Sequence, residues 1–507
     1  MESRMKKAMK IRGMKYLSVF LVLLLMITAT EPIWAGAFSS EKPYEIIIES
    51  LTRGKTMPDL DKVEAAINEI TVPAINCTVK IENVSIADHA RVMDLTVAQN
   101  KRIDIVNTGR TTPLTEMVDH NLLIPLDDLV KKYAPDLIKK EADLLKGSML
   151  NGNLYALPAD LYSGMRSGFL YNADMAKKYG IKIADIMTLE QIEDAAKILL
   201  SHDKYLLSQG GGNEDPVLLG ILFPDVKPLD HSIIANGVLI RGNDKKLQNA
   251  FETPEFLQYC QMIRRWKENG WIPSDSLVSG RMANDLFQNQ ETFMTWLSVT
   301  PTELALQQKN YSFNIGAFAT TEKAILTTNQ VQSNGWGISS TSLQPEKAME
   351  FLNLLYTDEN LANLMMNGIE GIHYEKVSEH IIRYPEGITA ETVGYYRRLS
   401  YFGDTLQVYQ WEPTTENFYE ELREFKANLQ TGPFWGYSFD ITPVSEEYRA
   451  VTNVLSIYLP PLECGMVANV EAAVNKLNTE LRNAGIEHIL AENQRQLNLW
   501  QQANSLG

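Results

Sequence analysis

Apolar positions follow two alternating spacings over residues 44–110. "YEIIIES", Tyr44–Ser50, is an unbroken β-branched run, the pattern of a strand buried on both faces. After the loop "TRGKTMPDL", Leu60, Val63, Ile67 and Ile70 recur at helical spacing. Val79 and Ile81 then alternate in "CTVKIENV", a helix-like stretch covers Asp88–Gln99, and "RIDIVN", Arg102–Asn107, reads as a third strand. Strand and helix in turn predict an α/β layer with parallel strands.

Further on, Leu154–Leu157 and Phe169–Tyr171 are short apolar runs separated by Asp160, Tyr162, Ser163, Arg166 and two glycines. That bridge is too polar for a core and too aromatic for an idle loop. Thr188 with Gln191 forms a capping box before "IEDAAKILL". Thr253–Pro254 opens a helix that Gly270 closes. Glu291–Pro301 is an apolar run ending polar, and Asn314–Thr320 and Ser333–Ser340 look like strands with glycine turns. Pro345 starts a helix carrying Ala348, Phe351, Leu352 and Leu355 on one face. The tail is helical: Tyr448, Val451, Leu455 and Tyr458, then Val470, Val474, Leu477 and Leu481, then Ile486, Ile489, Leu490, Leu497 and Trp500 form stripes of the kind that build cores.

The amino terminus changes this picture. Lys6, Lys7, Lys10, Arg12 and Lys15 precede the apolar Leu17–Ala29 and the small residues Ala35–Ala37, which together read as a secretory signal over residues 1–37. The apolar run is short for a membrane span. No cysteine precedes Cys77, so a lipid anchor is not expected. Without the leader, 41 basic residues face 61 acidic ones, a balance that repels a phosphate backbone and argues against a nucleic-acid partner. Cys77, Cys260 and Cys464 are too far apart for a disulfide framework or a zinc site.

Catalytic spacing is missing: there is no His-Glu-x-x-His, no Gly-x-Ser-x-Gly, no Cys-x-x-Cys and no dinucleotide fingerprint. No cofactor or metal is expected. The loop "SQGGGNEDP", Ser208–Pro216, lacks the Lys-Ser/Thr of a phosphate cradle. In parallel sheets ligands lie beyond the carboxyl ends of the strands, where Arg53, Thr108 and Arg110 fall; ordinary turn chemistry is the equal alternative. Trp296, Trp336, Trp411, Trp435, Tyr162 and Tyr401 lie in or beside loops. A ring beside polar groups suits a sugar, whose CH face covers the ring while carboxylates, amides and arginines take the hydroxyls. For any single ring, plain burial is the commoner outcome.

"LNGNLYALPADLYSGMRSGFLYNADMAKKYG" resembles the signature of the family 1 extracellular solute-binding proteins, ligand receptors of bacterial ABC importers for sugars and oligosaccharides. "RIDIV", "LIPLDDLVKKYAPDL", "MTLEQIEDAAKIL" and "PEKAMEFLNLLYTDENLANLMMNGIEGIHYE" match it in order, and "FWGYSFDITPV" through "AENQRQLNLW" is similar to a C-terminal domain of unknown function in a Bacillota-type subgroup. The resemblance implies a two-lobed α/β periplasmic-binding-protein-like fold of type II, with hinge crossings and a helical C-terminal extension. The expected partition is residues 38–158 plus 298–335 in one lobe, 159–297 plus 336–430 in the other, and 431–507 packed on both. Crossings are expected near 156–168, 293–301 and 333–338. The implied function is an extracytoplasmic, monomeric, non-catalytic receptor that binds a carbohydrate, most simply an oligosaccharide, and presents it to permease subunits. A secreted carbohydrate-active enzyme and a sensor for a membrane kinase are the alternatives. By resemblance Asp160 and Tyr162 meet ligand at the first crossing, Trp296 stacks on sugar, Trp336 lies at the last crossing, and Tyr401 stands where the subgroup more often has tryptophan. Gly403–Asp404 departs from the usual Gly-Asn.

Overall fold

The computed structural model describes residues 42–504 apart from 53, 55, 151, 160–163, 165, 208–218, 220–221, 223–226, 229–237, 241–245, 276–282, 309, 398–402 and 433. The leader, the glycine-rich loop at Ser208–Pro216, and Arg53, Asp160, Tyr162 and Tyr401 lie outside the described residues.

Strand β1 (Tyr44–Thr52) runs parallel to β2 (Cys77–Ser85), from Tyr44 opposite Cys77 to Thr52 opposite Ser85. From Ile48 to Thr52 every side chain is buried, as the β-branched run predicts. Between them helix α1 (Leu60–Ile75) buries Val63 and Ile67. After helix α2 (His89–Ala98), β3 (Ile105–Thr108) pairs with the other side of β1, also parallel. The chain then passes through several short helices to the two-residue β4 (Leu157–Pro158) and leaves the sheet.

Strand β5 (Arg166–Asn172) begins a second sheet. Helices α3 (Leu189–Leu200) and α4 (Pro254–Glu268) follow, opened by Thr188 and Thr253, whose hydroxyls accept from the amides of Gln191 and Phe256. Strands β6 (Met294–Val299) and β7 (Ile315–Ala319), with α5 (Pro301–Gln308) between them, pair antiparallel on either side of β5. The short helix α6 (Thr328–Gln332) leads back to the first sheet. There β8 (Gly335–Ile338) inserts antiparallel between β3 and β4, so the order is β2-β1-β3-β8-β4. Helices α7 (Pro345–Thr357) and α8 (Glu359–Asn367) cover one face of this sheet, packing Phe351, Leu352, Leu355 and Leu361 against Ile46, Ile48, Val63 and Ile67. Met93, Val106, Leu114 and Met117 fill the other face.

After α9 (Asn417–Ala427), the tail helices α10 (Ser445–Glu463), α11 (Val470–Asn483) and α12 (Ile486–Asn504) return to the second sheet. Their Leu455, Leu459, Leu477, Leu481 and Ile489 share one core with Phe169, Phe318, Phe256 and Trp266. The Tyr259 hydroxyl donates to Glu463 at 3.1 Å and Asn478 Nδ2 donates to the Phe251 carbonyl at 2.7 Å, so buried polar groups also tie the tail to α4 and its approach. No helix among the described residues is long and apolar enough to cross a membrane.

The molecule is therefore a two-lobed α/β fold with hinge crossings, but its partition differs from the expected one. Residues 298–319 belong to the second sheet, because β6 and β7 pair with β5. The described residues of 336–427 belong to the first, because Trp336 lies opposite Asn107 and Leu157 and Asp404 pairs with Lys140. The tail builds the second lobe's core, and its approach also meets the hinge and the first lobe through Gly436, Ser438 and Thr442. Partner choice for a short, fully buried strand such as β8 is non-local, and hydrophobic spacing carries no record of it. The chain passes from the first lobe to the second after Ala159, returns through 320–334, and passes again through the described residues of 428–443. Residues 293–301 are not a crossing. In the hinge, Ile325–Leu326 pairs in parallel with Gln430–Thr431, and a Cβ on Gly164 would come within 2.1 Å of Leu429.

Candidate functional site

The carboxyl ends of the parallel strands share one edge, and β8 brings the crossings to it: Gly335 lies opposite both Thr108 and Pro158. An open α/β sheet offers its ligand site at such an edge, where a topological break leaves a crevice.

The edge is unusually polar inside. Glu49, a carboxylate within the β-branched run of β1, is wholly buried, as is His89 at the start of α2. His89 Nε2 lies 3.1 Å from Glu49 Oε2, and His89 Nδ1 is hydrogen-bonded to the Thr111 hydroxyl in the loop after β3. This chain of bonds fixes the loop carrying Arg110. Gly109, which precedes it, has φ +79°, and a Cβ there would lie 1.7 Å from the Gln332 carbonyl, so only glycine lets the loop sit against α6.

Several buried atoms at this edge find no partner among the described residues: Glu49 Oε1, Thr108 Oγ1 and Thr112 Oγ1. Leaving such an atom unsatisfied costs about 1–3 kcal/mol. A bridging water would recover that cost. On the opposite face of β1, buried Arg397 donates through Nη1 to Ser50 Oγ (2.6 Å) and Asn83 Oδ1 (2.8 Å) and through Nε to the Tyr395 hydroxyl (3.1 Å), leaving Nη2 without a hydrogen bond to a described residue. All of these partners are neutral.

The expected site residues separate. Thr108 is at the edge, 0% exposed. Arg110 is half-buried beside it and makes no ion pair with a described residue. Trp296, on β6 opposite Phe169, keeps 47% of its surface exposed, a large ring that burial does not explain. Trp336 is a correction: it is 0% exposed in the first lobe's core and offers no ring face to a ligand. Of the other loop-side rings, Trp411 stacks 4.3 Å from Tyr384 and donates to Asn367, and Trp435 lies against Gly147.

Asp404, where the subgroup pattern has Asn, proves to be a brace. It is 3% exposed, pairs with Lys140 at 2.8 Å and Lys426 at 3.4 Å, and accepts from the Leu406 amide. Burial pushes its carboxyl up, but the two lysines outweigh it and hold it below the usual carboxylate range.

Sequence reasoning passed over Glu49, His89, Thr111, Thr112 and Arg397. One signal was available: a carboxylate directly after the three isoleucines of "YEIIIES", a run predicted to be buried on both faces, needs a partner or a task.

The family profile of the bacterial extracellular solute-binding proteins matches residues 65–372, and that of a domain of unknown function, DUF3502, matches residues 433–502. A carbohydrate ABC transporter substrate-binding protein of Streptococcus pneumoniae serotype 4 is 25% identical over 474 residues, 91% of each chain. The fold is shared with the crystal structure of the N-glycan transport solute-binding protein of S. pneumoniae, at TM-score 0.77 and 23% identity over 90% of this chain and 99% of that one. The structures of that protein in complex with Man1GlcNAc and Man5GlcNAc give TM-scores of 0.68 and 0.66, at 24% and 23% identity over 90% and 91% of this chain and 99% of theirs. With the first profile spanning more than half of the residues and a two-lobed fold hinged at the carboxyl edge of a parallel sheet, the chain belongs to the bacterial extracellular solute-binding protein family.

Proposed function

We propose that this protein is the receptor of an ABC importer, that it binds an oligosaccharide in the cleft between its lobes, and that it presents the closed form to permease subunits without making or breaking a bond. An extracytoplasmic location goes with the family. A leader over residues 1–37, cleaved to leave Phe38 first, accounts for export.

The observation that carries this reading is the polar carboxyl edge where the crossings converge, at which Arg110 is half-buried with no ion pair to a described residue, beside Glu49, Thr108 and Thr112, whose buried oxygens find no partner among the described residues. Sugar hydroxyls are donors and acceptors in one group and suit a site of lone acceptors and hydroxyls. Exposed Trp296 on the second lobe supplies a ring for a pyranose face. Ligand touching both lobes stabilises the closed state by its differential affinity for it. The proteins it resembles support the same reading, since one is named for carbohydrate transport and another holds N-glycan fragments.

The test is calorimetry on the mature chain with two ladders, maltose to maltohexaose and Man1GlcNAc to Man5GlcNAc, together with a broad glycan panel. Micromolar or tighter binding with a change in tryptophan fluorescence is expected. Silence across the whole panel sinks the proposal.

A further inference from the structure

One step past the carboxyl edge lies a second recess. A cavity of about 170 Å³ is lined by Gly109 of the loop after β3, Thr115 of the short helix Leu114–Asp119, Asn329 and Gln332 of α6, and Phe439 and Tyr448 of the C-terminal segment. It lies below the roughly 300–1,000 Å³ of a pocket for a drug-sized ligand, so it has room for a single ring rather than a chain.

Its chemistry is specific. The wall holds two aromatic rings, amides and hydroxyls, and no Asp, Glu, Lys or Arg. An anion would find no counter-charge there, whereas a neutral sugar would find rings for its CH face and amides for its hydroxyls. Gln332 is already committed, donating to the Gly147 carbonyl and accepting from the Ser438 hydroxyl, both at 2.8 Å. The Asn329 amide and the Thr115 hydroxyl make no hydrogen bond to another described residue. They are the free polar groups of the wall.

The C-terminal segment is laid deliberately across this place. Before its helices enter the second lobe, the Gly436 amide donates to Thr328 Oγ1 (2.8 Å), the Ser438 hydroxyl to Gln332, and the Thr442 hydroxyl to Asp119 (3.1 Å). A tail needed only for the second lobe's core would not require three bonds to the hinge and the first lobe.

We propose that the cavity is a saccharide subsite, taking one neutral sugar residue at the end of a longer glycan, and that residues 436–448 build its wall and so set ligand length. This rests on the glycan-receptor reading above. It gives the C-terminal domain a part in recognition beside its part in the core.

The experiment uses the full mature chain, the two glycan ladders, and the variants Asn329→Leu and Thr115→Leu, which fill the cavity from opposite walls. Each variant is expected to lose at least tenfold in affinity for the longest member that the wild type binds, while the shortest changes by less than twofold. Equal losses on short and long glycans, or unchanged affinity for the long one, overturn the subsite and leave the receptor reading standing. If one variant melts below the wild type, the other decides. Wild-type protein that binds neither ladder overturns the subsite, and the panel result then judges the receptor reading separately.

Discussion

The two lobes treat buried polar groups differently. In the first, Thr108 and Thr112 at the carboxyl edge hold hydroxyls with no hydrogen bond to a described residue, and Glu49 keeps one oxygen spare while the other meets His89. In the second, most of the spare atoms belong to groups already engaged: Asn172 Oδ1 accepts from the Met175 amide and Asn493 Oδ1 from the Tyr437 hydroxyl, with Thr292 the exception. The first lobe holds unspent hydrogen-bonding capacity at one edge, while the second spends its capacity on holding itself together. Where a fold leaves buried oxygens unsatisfied at a strand edge, the missing partner is a bridging water or a group that arrives.

The contrast can be broken most severely through the tail. Deleting residues 434–507 removes Leu455, Leu459, Leu477, Leu481 and Ile489 from the second lobe's core. The shortened chain is expected to lose cooperative unfolding of that lobe in urea, and a single Leu477→Ala to cost about 2–5 kcal/mol. A fully cooperative, unshifted transition after deletion would show that the tail is not core.

The two tryptophans divide structure from recognition. Trp336→Ala is expected to destabilise the first lobe by about 3–5 kcal/mol by urea titration. Trp296→Ala, at an exposed position, should change stability by no more than about 0.5 kcal/mol while weakening glycan affinity. Equal stability losses for both would erase the distinction.

Asp404 tests the brace. Asp404→Asn removes charge-assisted bonds to Lys140 and Lys426, each worth about 1.5–3 kcal/mol before the lysines regain water. Acid should show the same group. His373 titrates below its ordinary 6.5 because burial disfavours its charge, more than Asp59 restores it. Both groups have lowered folded values, so each contributes stability that is present at neutral pH and lost on acidification. Melting temperature is expected to fall first below pH 6.5 through His373, then below about 4 through Asp404. Asp404→Asn should flatten the second step only.

The smallest effect on stability is expected at Thr108. Thr108→Val removes a buried hydroxyl that has no partner, so stability should stay level or rise slightly. Glycan affinity should drop several-fold by calorimetry. Unchanged affinity would remove Thr108 from the site.

Much of the fold was legible locally. "YEIIIES", the helical spacing of Val63 and Ile67, the Thr188–Gln191 capping box and the three tail stripes each became the element that their spacing predicts. The site was less legible. Trp336 and Trp296 look alike in sequence, each beside glycine or polar residues, yet one is core and the other surface. Burial of a ring depends on what packs over it, and that cover comes from distant segments.

Strand and helix periods and caps were settled by the sequence itself, because each rests on interactions within a few residues. Lobe membership was not. Insertion of β8 between β3 and β4, pairing of β6 and β7 with β5, and entry of the tail into the second core join residues separated by more than a hundred positions. Such contacts are chosen by which apolar faces and strand edges remain uncovered once local elements have formed, and only the folded chain resolves that choice.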